Sequence, residues 1–148
     1  MQAQMLAPAA VLVGWTLVML IWAAATRLPA LSKIGGLKNA KPGGRGQDLE
    51  GVLDDRINWK AHNYAHLVEQ PTLFYAVSLI LAVVGPHQID PLLAWIYVAL
   101  RIVHSLWQAM VNVVAIRFVI FALATIALAV MAFHAIDHTL FANPGVVA

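Results

Sequence analysis

The side chains best suited to chemistry lie between Asn58 and Tyr75, in a stretch reading NWKAHNYAHLVEQPTLFY. In a helix, Asn58, His62, His66 and Glu69 stand at offsets 0, +4, +8 and +11, which gathers them within roughly 80° of arc on one face. A second stripe follows further on, where Tyr97, Arg101, His104, Gln108 and Asn112 stand at offsets 0, +4, +7, +11 and +15. Polar groups at membrane depth turn toward a bundle interior or a wet cavity and pair there. The two stripes are therefore expected to meet, with Arg101 as the counter-ion of Glu69.

Such a meeting has two readings. In one, Glu69 and Arg101 form a buried pair that fixes helix register, and the histidines, Gln108 and Asn112 hydrogen-bond between helices. In the other, the stripes line a polar pocket that suits an anionic, water-soluble ligand meeting a lipid-dissolved one. His62, His66 and Glu69 could also offer three metal ligands, with His104 as a fourth. Ligand spacing alone does not define a metal centre, and neither metal nor haem is expected.

The elements that must position these residues are membrane spans. The chain has 148 residues, 61% hydrophobic and 11% charged, with a mean hydropathy of +0.78, where soluble domains carry about 25% charged residues. Four apolar runs of about 20 residues or more can each cross a bilayer. They place helices at about 6–28, 58–84, 92–114 and 116–141, joined after the first by a polar loop at 29–57. The expected fold is an all-α integral membrane protein, a four-helix transmembrane bundle forming a single domain. The first run is long and no Lys or Arg precedes it, so it reads as a span rather than a signal peptide.

Local signals refine this layout. Pro71, in the middle of the second run, removes a backbone donor and is expected to kink the helix, with Gln70 or Thr72 helping to satisfy the freed backbone. The Gly- and Lys-rich loop at 29–57 either covers a site or is mobile. It carries Lys33, Lys38, Lys41, Arg45 and Arg56, whereas the second connector and the C-terminal tail carry no Lys or Arg. The positive-inside bias then puts both termini away from the cytoplasm, with Arg27, Lys60 and Arg117 on the cytoplasmic side. The basic residues thus speak to topology, and no nucleic-acid partner is expected. With no cysteine, the chain has no thiol nucleophile of its own.

The segments AHNYAHLVEQPTLFYA and YVALRIVHSLWQ, set in a four-span layout, resemble the MAPEG family of membrane proteins. The most specific features are Glu69 followed by Pro71 and Phe74, and Arg101 followed by His104. The resemblance implies a protomer that trimerises, with glutathione held between protomers near the cytoplasmic side. Lipophilic electrophiles reach it from the bilayer, and an arginine stabilises its thiolate. Glutathione-using members show Arg, Asn and Glu spaced R-x-x-x-N-x-x-E on the second helix. Here Glu69 matches, His66 stands where Asn is expected, and His62 where Arg is expected. His104 replaces a third-helix tyrosine.

Carried over on that basis, the ligand-binding set is His62, His66, Glu69, Arg101 and His104. Arg117 and Arg27 are the catalytic candidates that could hold a carboxylate or thiolate. The expected activity is a glutathione- or thiol-dependent transferase or peroxidase acting on lipophilic small molecules, in a bacterial inner membrane or its equivalent. The competing class is a non-catalytic accessory subunit that packs against other membrane proteins, lipids or pigments.

Overall fold

A computed structural model describes residues 2–39 and 41–141. The C-terminal tail at 142–148, on which the orientation partly rests, lies outside the described residues. The chain forms α1 (Gln2–Lys33), α2 (Asp55–Glu69), α3 (Pro71–Val84), α4 (Asp90–Met110) and α5 (Val114–Leu140). Two short 3₁₀ turns, Gly36–Asn39 and Gly46–Leu49, punctuate the first loop. There is no strand among the described residues. Taken together, α2 and α3 make one span, and α1, α4 and α5 supply the other three of four helices long and apolar enough to cross a bilayer.

Prolines act differently in the first and second spans. The first run was expected to close at Pro29, yet α1 continues through it to Lys33. A proline deletes one ladder bond and need not end a helix whose neighbours, here Ala30 and Leu31, favour it. Pro71 does break the second span, as N1 of α3, with Gln70 as the hinge between α2 and α3. The Thr72 hydroxyl donates to the Glu69 carbonyl at 2.6 Å, in the last turn of α2, rather than to the Leu67 carbonyl that Pro71 deprives of a donor. Gln70 instead turns its side chain to the neighbouring helices.

The bundle buries apolar seams together with a polar stripe and turns large apolar groups outward. Around it the order is α1, α2–α3, α5 and α4, and α2 also touches α4 across the interior. Met5, Leu12 and Met19 on α1, and Leu67, Phe74 and Leu81 on the second span, recur every seven residues and are all buried. That period keeps one seam of each helix toward its partner in left-handed crossings. Ala124, Ala127 and Ala135 of α5 are also buried, and such small residues let backbones approach closely. Large apolar groups such as Ile21, Val83 and Phe118 are left 68%, 79% and 68% exposed, which is what a lipid-facing surface requires. Helix α4 is the most enclosed, with 44% of its most apolar window buried against 22% for α1 and α5.

Candidate polar site between the helices

Helix α4 builds the site. Its inward face holds Tyr97, Arg101, His104, Ser105 and Gln108, none more than 6% exposed, so the spacing read from the sequence becomes one buried stripe. Tyr97 stacks on Phe74 with ring centroids 4.4 Å apart. Its hydroxyl donates to Gln70 Oε1 at 3.3 Å, and Gln70 Nε2 donates to Thr125 Oγ1 at 2.8 Å. One glutamine at the hinge thereby ties α4 to α5.

Arg101 is fully buried. Its Nη2 donates to the backbone carbonyl of His66 at 2.8 Å, while Nε and Nη1 have no hydrogen-bond partner among the described residues. The expected pairing with Glu69 is not formed. Glu69 accepts instead from His66 Nδ1 at 3.0 Å, its side chain 67% exposed, and no carboxylate lies within ion-pair distance of Arg101 among the described residues. The reason is helix rotation: α2 buries Asn63 and Leu67, which stand about 140° and 180° around the helix from Asn58. The stripe from His62 to Glu69 is left toward the rim.

Sequence-selected residues therefore divide between two cavities. The first, of about 190 Å³, is lined by His66, His104, Val114, Arg117, Phe118 and Phe121. The His66 and His104 rings are 5.0 Å apart, His104 Nδ1 is unpartnered, and the Arg101 guanidinium carbon sits 5.8 Å from the Phe121 ring centre. Arg117 is held at the mouth, where its Nη1 donates to Asn112 Oδ1 at 2.7 Å. Asn112 is the turn residue between α4 and α5 and adopts φ 57°. That left-handed conformation is one asparagine tolerates better than most residues.

The second cavity, also about 190 Å³, lies between α1, α2 and the long loop, lined by Arg27, Gly46, Gln47, Ala61, His62 and Ala65. Arg27 Nη2 donates to Gly46 O at 2.9 Å and to Asn58 Oδ1 at 3.0 Å. A Cβ on Gly46 would stand 2.9 Å from Arg27 Nη1, so the missing side chain is what admits the guanidinium. His62 Nε2 donates to Glu50 Oε1 at 3.0 Å. Buried Asn58 donates to the Leu49 and Leu53 carbonyls at 3.1 and 3.3 Å, so the loop is tied down over this cavity.

His66, Arg101, His104 and Arg117 thus gather at one place, Arg27 and His62 at another, and Glu69 is exposed and touches the first only through its bond to His66. The set His62, His66, Glu69 and His104 is not drawn into a common ligand cluster. Sequence reasoning passed over Asn63, whose Nδ2 donates to Ser105 Oγ at 2.7 Å. Its signal was present: Asn63 lies on the α2 face that also carries Leu67.

Four bilayer-length helices enclosing a buried polar stripe and a cation-bearing cavity define a polytopic α-helical membrane protein with an interior site. The chain belongs to the MAPEG family, whose family model matches residues 5–137, nearly its whole length. Comparison with curated proteins and with solved structures returns no match.

Proposed function

We propose that this MAPEG member is a thiol-dependent transferase or peroxidase in which the cavity between α4 and α5 takes glutathione and presents it to lipophilic electrophiles. The family includes glutathione-dependent transferases. The observation that carries the reading is Arg101, a fully buried guanidinium with two donor atoms that find no partner among the described residues, near a cavity lined by Arg117. A buried cation without a carboxylate leaves a deficit of negative charge. An anionic thiol compound makes up that deficit.

Arg117, held at the cavity mouth, fits a carboxylate or the thiolate of the ligand, and Glu69, exposed and bonded to His66, fits its amine. A nearby cation lowers the pKa of a thiol and so raises the fraction present as the nucleophile. Transfer then forms a carbon–sulfur bond as the electrophile's leaving group departs with its electron pair, the thiol proton passing to water. The Phe118 and Phe121 rings give the cavity an apolar wall toward the bilayer side, through which a lipid-dissolved electrophile can enter.

The same proposal includes a homotrimer in a bacterial inner membrane or equivalent, with the long loop cytoplasmic and the termini on the far side. The orientation is supported by the loop's basic residues. The test is calorimetric titration of the purified protein with glutathione, together with turnover of a chlorinated nitrobenzene. Binding and conjugate formation are expected. Neither binding nor turnover would leave the accessory-subunit reading, which the Asn63–Ser105 and Tyr97–Gln70–Thr125 hydrogen bonds favour as register devices.

A further inference from the structure

At the end of the bundle opposite the long loop, the α3–α4 connector meets the last turns of α5 in a cluster of three histidines and two aspartates. The ligand atoms of His87, Asp137 and His138 lie within 4.8 Å of one another. His138 Nδ1 stands 2.6 Å from the Gly85 carbonyl, which can only accept, so Nδ1 carries the proton and Nε2 of the neutral ring presents a lone pair. That lone pair accepts from His87 Nε2–H at 2.8 Å, so metal binding requires the exposed His87 ring to shift this proton to Nδ1. A ring fixed by an Nδ1–H to carbonyl bond is the arrangement in which metal-ligating histidines are held.

The opposing half of the cluster is also anchored. Asp90 is fully buried; its Oδ2 accepts from the His87 backbone N–H at 2.7 Å and its Oδ1 from His134 Nδ1 at 2.6 Å. The His87 ring lies 4.4 Å from that of His134 and 4.2 Å from that of His138. The connector is thereby fixed against α5 from both sides, with His87 and Asp137 open to the aqueous boundary.

We propose that His87, Asp137 and His138 form a binding site for a divalent transition-metal ion, with zinc as the representative cation. Two imidazoles and one carboxylate are donors that zinc and its neighbours favour over calcium or magnesium. Three protein ligands leave a fourth position to water. Nitrogens bound to one tetrahedral zinc stand about 3.3 Å apart given zinc–nitrogen bonds of about 2.0–2.1 Å. The two rings need part by about half an ångström from 2.8 Å, and ligand atoms spread over as much as 4.8 Å must draw in toward about 3.3 Å, movements that the exposed His87 and Asp137 side chains permit. Bound metal clips the connector to α5 and stabilises the folded bundle by mass action. The site is separate from the cavity proposed for glutathione, so the two stand or fall independently.

The experiment is titration of the metal-free, detergent-solubilised protein with zinc chloride against a chromophoric chelator, with Tm followed in parallel. One zinc per chain and a rise in Tm are expected. His87→Ala, which alters an exposed side chain, and His138→Ala should each lower zinc affinity at least tenfold, and Asp137→Asn should lower it less. The double variant His62→Ala/His66→Ala should keep full affinity. Zinc uptake no greater than the detergent blank, uptake unchanged in His87→Ala, or uptake lost only in the His62/His66 variant would each overturn the assignment.

Discussion

Arg101 donates to the backbone carbonyl of His66 at 2.8 Å, and Glu69, three residues further along α2, points to the rim instead of back at it. That relationship separates the buried cation from the acid that the sequence seemed to offer it. It also changes what mutation should do.

Because no carboxylate is paired with Arg101, Arg101→Met strands no opposite charge. A lone buried cation carries a desolvation cost that no counter-ion offsets, so an apolar side chain of similar length need not destabilise the fold. We predict that Arg101→Met folds with a Tm within a few degrees of the parent while glutathione affinity falls at least tenfold. Unfolding of this variant, or unchanged affinity by calorimetry, would count against the role given to Arg101.

Glu69→Gln removes an exposed partner of His66, not a buried counter-ion. Surface ion pairs contribute about 0–1 kcal/mol, so the expected loss in detergent-denaturation experiments is about 0.5 kcal/mol or less. A loss comparable to that of a broken buried pair, about 3 kcal/mol or more, would show that Glu69 reaches Arg101 after all.

The Asn63–Ser105 bond is buried on both sides. Ser105→Ala leaves the Asn63 amide short of a partner, and interhelical hydrogen bonds in membranes average about 0.6 kcal/mol with a maximum near 1.7. A double-mutant cycle with Asn63→Ala should give a coupling energy in that range. A value near zero would show that the contact does not hold α2 to α4.

Asn112 adopts φ 57° and also holds Arg117, so its two roles can be separated. Asn112→Gly relieves the backbone cost but loses the Arg117 contact, whereas Asn112→Ala loses the contact and keeps the cost. Left-handed backbone costs roughly 1–2 kcal/mol for a residue with a Cβ, and the thermal midpoint of the alanine variant should fall below that of the glycine variant. Equal midpoints would place the turn's stability elsewhere.

The α4 stripe was legible because a single period of 3.6 places Tyr97, Arg101, His104 and Gln108 together whatever their partners. The four spans were legible for a similar reason: length and hydropathy suffice. The facing side of α2 was not, since its rotation is decided by how Asn63 and Leu67 seat against other helices. Leu67 beside Asn63 hints at that face, but one apolar residue does not outweigh the ionisable stripe bearing His62 and His66. Likewise Asn58 read as part of a chemical stripe, yet it ties down the loop through Leu49 and Leu53. The His87–His138 contact joins residues 51 apart, and only the folded bundle brings them together.

The central claim is that the cavity bearing His66, His104 and Arg117 holds glutathione. It is tested most directly by calorimetric titration of glutathione into the parent protein and into Arg117→Ala, whose side chain stands at the cavity mouth and is not part of the buried core. The account predicts saturable binding to the parent, at least tenfold weaker binding to the variant and an unchanged Tm. No binding to the parent, or equal binding to both, would contradict it.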